Sequence, residues 1–355
     1  MKKFFAIALA AVLALSVFTG CGGKKAELAL ITDIGTIDDK SFNQGSWEGL
    51  VKYAEEKGIS HQYYKPSEKS TDAYLQSIDL AVKGGAKVIV CPGFLFEEPV
   101  TQAAATYPDV SFVAIDCTLP EAPANTVGVT YAEEQVGFLA GYAAVKEGYT
   151  KLGFLGGMPV PAVVKYGYGF VQGAEYAANE AGMGAGAIQI TYGYTGDFAA
   201  TPENQTKAAS WYNDGTEIIF ACGGAVGNSV MAAAEAAGTK VIGVDVDQSG
   251  ESDTVVISAM KGLGNSVYSM ISDYYSETFP GGQNVVLDAS QNGVSLSMES
   301  SKLTKFTQKE YDTLYAALAN NTDNIASNII NTPADDNTVA GANIPLSAVT
   351  MNEVG

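Results

Sequence analysis

Short, continuous apolar runs alternate with longer amphipathic stretches along most of this chain. The runs Leu28–Asp33, Ser60–Tyr64, Lys87–Cys91, Ser111–Asp116 and Thr126–Thr130 predict strands. Between and after them, Gln44–Lys57, Thr71–Lys83, Glu97–Tyr107 and Ala132–Glu147 carry helical spacing. The order then returns. Strands are predicted at Lys151–Leu155, Ala187–Tyr194, Glu217–Cys222, Lys240–Asp245 and Val255–Met260. Helices are predicted at Val164–Ala181, Pro202–Asn213, Ser229–Ala237 and Asn265–Thr278. Apolar strands alternating with helices imply parallel sheets covered on both faces. Short strand-like runs follow at Val285–Leu287 and Gly293–Met298, then a helix at Gln308–Asn320.

The return is a repeat of sequence as well as of pattern. Leu28–Gly58 and Leu152–Gly182 superpose at an offset of 124, which sets Gly45 on Gly169, Gly49 on Gly173 and Phe42 on Tyr166. Lys87–Cys91 likewise matches Glu217–Ala221, and Ser111–Asp116 matches Lys240–Asp245, so Asp116 and Asp245 end equivalent strands. A duplicated α/β unit implies two similar lobes with a cleft between them. The expected division is 27–130 plus about 263–283 for the first lobe and 131–262 plus about 284–330 for the second. Residues 331–355 form a polar tail expected to wrap the surface or a lobe edge.

Residues 1–20 belong to neither lobe. Lys2 and Lys3 precede an apolar run from Phe4 to Phe18, and Thr19-Gly20 lead into Cys21, the pattern of a secretory signal peptide. The residues before Cys21 resemble the bacterial lipobox, with Phe18 where Leu is usual, so Cys21 is the expected lipidation site. A short linker, residues 21–26, would then hold the globule close to the bilayer. No later apolar run approaches the roughly 18 to 20 residues of a membrane helix.

Composition narrows the chemistry. The formal net charge is −19, and all 20 basic residues are Lys. Arg is the characteristic bidentate partner of carboxylate and phosphate, so its absence favours a neutral or cationic ligand. An acidic, Arg-free surface also argues against nucleic acid. With one His and no CxxC, histidine metal sites and a Ser-His-Asp triad are excluded, and no metal or other cofactor is implied. Cys91, Cys117 and Cys222 read as core residues or cleft-lining thiols.

Ligands of open α/β sheets bind outside the carboxyl ends of the strands. That rule selects the loop from Asp33 to Phe42, Gly93-Phe94, Asp116, Met158 to Tyr166, Gly223-Gly224, Asp245 and Lys261. Ionised Asp116 and Asp245 at matched strand ends suit a ligand rich in hydroxyls, with Lys261 as a donor beside them. Phe42 can stack on a flat ligand, with either Tyr166 or Phe198 opposite. Asn43 offers an amide donor and acceptor to a heterocycle edge, and Gly224 permits close backbone approach. Ser41 completes the polar loop.

The run Asp33-Ile-Gly-Thr-Ile-Asp38-Asp39-Lys40-Ser41-Phe42-Asn43-Gln44, followed by Trp47 and Gly49, resembles the signature of the basic membrane protein family. Ile242-Gly-Val-Asp245-Val-Asp247-Gln248 and Ser258-Ala-Met-Lys261 are similar to its later motifs. The family comprises lipoproteins that bind substrate for ABC-type nucleoside importers. The resemblance implies the two-lobed, hinge-linked type I periplasmic-binding fold and a non-enzymatic, monomeric binder that serves a permease and its ATPase subunits. It further implies Phe42 stacked on a purine, Ser41 or Asn43 and Asp116 near the base, and Asp245 and Lys261 on the ribose. Two departures, Cys222-Gly223-Gly224-Ala225-Val226 and Tyr166-Gly-Tyr168, leave the preferred base open.

Three rival readings share some of these residues. Thr32–Asp39 is similar to the DTDPGIDD calcium motif of nucleoside hydrolases, but Ile31 replaces its first Asp and Thr36 is inserted. A sensor lipoprotein, or a binder of sugars or autoinducers, could use the same fold.

Overall fold

The structure, a computed structural model, describes residues 25–354. The expected signal peptide, Cys21 and most of the linker lie outside the described residues. The first lobe opens with β1 (Leu28–Ile31), α1 (Phe42–Lys57), β2 (His61–Tyr64) and α2 (Thr71–Lys83). It continues with β3 (Val88–Pro92), α3 (Glu97–Thr106), β4 (Ser111–Ile115) and β5 (Thr126–Tyr131). The second lobe runs through α4 (Glu133–Glu147), β6 (Lys151–Gly156), α5 (Pro161–Glu180), β7 (Ile188–Tyr194) and α6 (Pro202–Asn213). Then come β8 (Ile218–Cys222), α7 (Val226–Ala237), β9 (Lys240–Asp245) and β10 (Val255–Lys261). The chain ends with α8 (Leu263–Tyr275), β11 (Gln283–Leu287), β12 (Val294–Leu296), α9 (Gln308–Ala319) and β13 (Val349–Val354).

Two sheets result. Their strand orders are β11-β5-β4-β3-β1-β2 and β12-β10-β9-β8-β6-β7-β13. Substituting each of β1 to β5 by its counterpart in the repeat reproduces the second order from β10 to β7, so the duplication extends to topology. Pairing is parallel throughout except between β10 and β12. The strands β1, β3, β4 and β8 are buried almost end to end, as two-faced coverage demands.

The chain passes between lobes three times: at Ala132, at Gly262, and after β11. Because β11 pairs with β5, the third crossing falls after Leu287, a few residues beyond the expected boundary near 284. Asn284 secures it, accepting from Leu119 N at 2.9 Å and donating to Leu119 O at 2.7 Å. The tail joins the second lobe at its edge, where β13 lies parallel to β7. Glu175 of α5 draws it in, accepting from the backbone N–H groups of Ser347, Ala348 and Val349.

The repeated glycines set helix spacing. A Cβ on Gly49 would run into the carbonyl of Gly264, so α1 and α8 touch backbone to backbone. Gly169 and Gly173 of α5 approach the carbonyls of Glu134 and Phe138 equally closely, which binds α4 to α5 and hence to the second lobe.

Candidate functional site

Asp39 organises the loop between β1 and α1. Its Oδ1 accepts from the N–H groups of Ser41 (2.9 Å) and Gln44 (3.1 Å), and its Oδ2 from Asn43 N (3.0 Å). It therefore satisfies the open N–H groups of the first turn of α1. Ser41, at the cap position itself, makes no side-chain cap. Its hydroxyl is free to cross the cleft and donates to Asp245 Oδ2 at 2.5 Å.

The Asn43 side chain is fixed by its neighbours. Nδ2 donates to Asp33 Oδ1 and to Asp39 Oδ2, both at 3.0 Å. Two carboxylate oxygens cannot face an amide oxygen, so this orientation is the only one chemistry allows. The expected amide donor is thus already spent. What remains is Asn43 Oδ1, buried and without a hydrogen-bond partner.

The two strand-end carboxylates share a backbone conformation. Asp116 has φ 57° and Asp245 φ 66°, left-handed values that cost strain in any residue but are best tolerated by Asn, Asp and Gly. Their surroundings differ. Asp116 Oδ2 pairs with Lys261 Nζ at 2.6 Å across the cleft, while its Oδ1 is buried and unpartnered. Burial pushes Asp245 up to about 6, against the opposing pull of Lys261 and the Ser41 hydroxyl. Burial also raises Asp33, beyond what Gly35 N–H and Asn43 offset.

Lys261 ends β10 at the second crossing and is itself buried. Burial disfavours its ammonium, but Asp116, Glu133 and Asp245 together outweigh that and hold it above the usual lysine value. The ammonium lies 5.0 Å from the Phe42 ring centroid, 5.4 Å from Tyr131 and 5.6 Å from Tyr166.

These groups surround one cavity of about 320 Å³ between the lobes. Asp33, Phe42, Asn43, Asp116, Tyr166, Phe198, Gly224, Asp245 and Lys261 all line it; Ser41 does not, and acts through Asp245. Tyr166 is 1% exposed, its hydroxyl directed to Ala259 O at 3.4 Å and its ring set edge-on to Phe220. It contributes wall. Phe198 is half-buried in the lining from the second lobe, over Gly157 and Gly224. Cys222 lines the cavity and Cys91 and Cys117 do not; all three thiols are buried and free.

Two contributors were missed by the sequence reading. Lys69 sits in the lining from the loop before α2. Glu133 lies 3.3 Å from Lys261 without reaching the cavity. An acidic residue in the first turn of a helix is the ordinary response to the helix dipole, so nothing in the sequence distinguishes it.

The lobes meet on one side of the cavity. Gln248 Nε2 donates to Lys40 O at 2.8 Å, and a Cβ on Gly45 of α1 would come within 2.8 Å of Val246 in the second lobe. Ser41–Asp245 and Asp116–Lys261 add two further bridges.

Residues 26–333 match the model of the Bmp family, described as ABC transporter substrate-binding protein PnrA-like. The ABC transporter nucleoside-binding protein BmpA of Lactococcus lactis subsp. cremoris is 28% identical over 84% of this chain and 92% of its own length. Basic membrane protein A1 of Borrelia garinii subsp. bavariensis is 32% identical over 86% of this chain and 91% of its own. In fold, the chain is similar to ABC transporter solute-binding proteins from Aeropyrum pernix K1, with TM-score 0.71 and 24% identity over 82% of this chain and 85% of that one. A solute-binding protein from Conexibacter woesei is similar at TM-score 0.68 and 22% identity, over 84% of this chain and 97% of that one. The two-lobed fold, the loop from Asp33 to Asn43 and the extent of these matches place the chain in the Bmp family of ABC-transporter substrate-binding proteins.

Proposed function

We propose that this chain captures nucleosides in the cleft between its lobes and delivers them to a membrane permease driven by ATPase subunits. In this reading Cys21 carries a lipid that anchors the protein on the extracytoplasmic face of the membrane. Among the described residues no helix is long and apolar enough to cross a membrane.

The observation that carries the reading is the pattern of unmet acceptors. Asn43 Oδ1 and Asp116 Oδ1 are buried with no partner and belong to side chains that line the cavity. A buried acceptor left bare costs about 1–3 kcal/mol, so the ligand that fits supplies N–H and O–H donors. A nucleoside has both, on a base edge and on vicinal ribose hydroxyls. Phe42 and Phe198 offer faces to the base, and Asp245 with Lys261 offers an acceptor and a donor to the sugar. A cavity of about 320 Å³ lies at the small end of ligand sites, about 300–1,000 Å³. The name of the Lactococcus relative points the same way.

Binding, without hydrolysis, is the activity proposed. Of the two carboxylates that a hydrolase would commit to calcium, Asp39 spends both oxygens on Ser41, Asn43 and Gln44, and Asp33 spends Oδ1 on Gly35 N–H and the Asn43 amide. Asp38 is bonded to Thr36 on the surface. The geometry supports capture by closure: a ligand bridging Phe42 and Asp245 touches both lobes and selects the state in which they meet. Calorimetry against adenosine, guanosine, inosine, the pyrimidine nucleosides, free bases and sugars tests the reading. Binding of at least one nucleoside above its free base and free ribose is expected. If no nucleoside binds, the proposal fails.

A further inference from the structure

Glu133 is 1% exposed, lies outside the cavity lining, and touches the one buried ammonium of the site. It is the first residue of α4, directly after the first crossing between lobes. Lys261 stands at the second crossing. The two passages are therefore joined by charge. From Lys165 through Glu133 and Lys261 to Asp116 the signs alternate, at 3.6, 3.3 and 2.6 Å. Glu133 Oε2 has no hydrogen-bond partner, and Lys165 stays beyond hydrogen-bond reach. Among the described residues Lys261 and Lys165 are the cations that pair with this buried carboxylate, and the start of α4 adds only the partial charge of the helix dipole, an expensive arrangement for a position that a neutral residue could fill.

We propose that Glu133 is a positioning residue of the ligand site: it shares the Lys261 ammonium with Asp116 and thereby keeps Asp116 and Asp245 available to ligand donors. The inference rests on the ligand-binding reading of the cleft. Without the Glu133 charge, Lys261 has only Asp116 and Asp245 as close anions, and it is drawn onto the oxygens the ligand requires. The other groups facing this network are Glu134 beside Glu133 on α4, Tyr131 at the end of β5, Tyr166 of α5 and Cys222 ending β8. None of them carries a compensating positive charge.

The network also has a pH window. Burial pushes Glu133 up to about 7, with Lys261 and Lys165 pulling it down and Asp116 and Glu134 pushing it up. Ligand affinity is then full above about 7 and falls as Glu133 takes a proton. Asp245 adds a separate loss near 6.

The test is calorimetric titration of adenosine and guanosine into the mature chain and into Glu133→Gln across both windows. The variant is expected to bind about tenfold more weakly at high pH and to lose the step near 7 while keeping the step near 6. Lys165→Met, which leaves the cavity lining intact, should keep the step and move it to higher pH. Parental affinity in Glu133→Gln, or a step near 7 that survives in it, overturns the inference. A parent that binds no nucleoside overturns the proposed function instead. In that event the side-chain ammonium resonance of Lys261 decides: it must shift through a step near 7 in the parent and not in Glu133→Gln, and a flat parental signal refutes the role.

Discussion

The loop from β1 into α1 and the loop from β6 into α5 occupy equivalent places in the two lobes, and both border the cavity. The first is mostly polar, broken by Ile34 and Ile37, with Asp33, Asp39 and Asn43 locked to one another and to the start of α1. The second is apolar, entering α5 through Val160 and Pro161 with no side-chain cap. Pro at the first helical position needs no cap for its own nitrogen, so this turn can present Val160 to Val163 to the cavity instead. Duplication supplied one scaffold, and divergence gave it a polar reader on one side and an apolar wall on the other. A flat ligand with apolar faces and a donor-rich edge is the kind that uses both.

Asp116 and Asp245 are the sharpest instance, and Asp245→Asn should give the largest effect. Asn keeps the left-handed backbone at φ 66°, so the change isolates the charge. Losing the carboxylate that the proposed reading sets against the sugar should weaken nucleoside binding about 100-fold. Stability should move the other way. A carboxyl raised from 3.8 to about 6 disfavours the fold once ionised, a penalty on the order of 3 kcal/mol. That penalty is absent below about 4 and complete above about 6, so the variant's melting temperature should exceed the parent's by a few degrees at neutral pH and converge with it in acid. A variant that melts lower at neutral pH while binding normally would remove Asp245 from the site.

The aromatic pair comes next. Phe42→Ala should cost roughly ten- to a hundredfold in affinity, the worth of about 1–3 kcal/mol for a stacked base. Tyr166→Phe removes only a hydroxyl directed to Ala259 O and should change affinity by less than about threefold. Comparable losses at both positions would make Tyr166 a ligand contact and break the asymmetry.

Much of this was legible in the sequence because it rests on short-range rules. Apolar strand runs and the strand-end principle led to Asp116, Asp245 and Lys261 without reference to tertiary structure. The glycine repeat was visible too, but its meaning was not. Gly169 and Gly173 look like part of a loop-and-helix motif, and only the α4–α5 crossing shows that each admits a backbone carbonyl. Asn43 read as a free amide because the loop that folds Asp33 and Asp39 onto it has no periodicity to read. Tyr166 aligned with Phe42, yet its partner Phe220 lies on β8, beyond any local signal.

The same glycines separate closure from folding. Gly45 and Gly49 are one helical turn apart on α1, but the first faces Val246 of the other lobe together with the Leu263 side chain at the start of α8, and the second faces the Gly264 backbone within its own lobe. Gly49→Ala must force α1 off α8, so it should lower the melting temperature with little effect on the affinity of the folded fraction. Gly45→Ala should cost less stability than Gly49→Ala, because its neighbour within the lobe is the Leu263 side chain rather than backbone, and should weaken binding about tenfold, because the added methyl also meets Val246 when the lobes come together. Equal melting shifts in the two variants would mean that Leu263 cannot give way and that the methyl is felt with the lobes apart.

The smallest effect is expected where the lobes also touch but water reaches. Lys40 and Glu251 approach at 3.5 Å with side chains 41% and 35% exposed. Such pairs contribute at most about 1 kcal/mol and are screened by salt. The neighbouring Gln248–Lys40 O bond is made to backbone and survives loss of the lysine side chain. Lys40→Ala should therefore change nucleoside affinity less than about twofold, and raising the salt concentration should mimic it. A tenfold loss would show that the rim, and not the Ser41–Asp245 and Asp116–Lys261 bridges inside it, governs closure. The balance among these contacts decides whether the two unlike halves of the cleft act as one site.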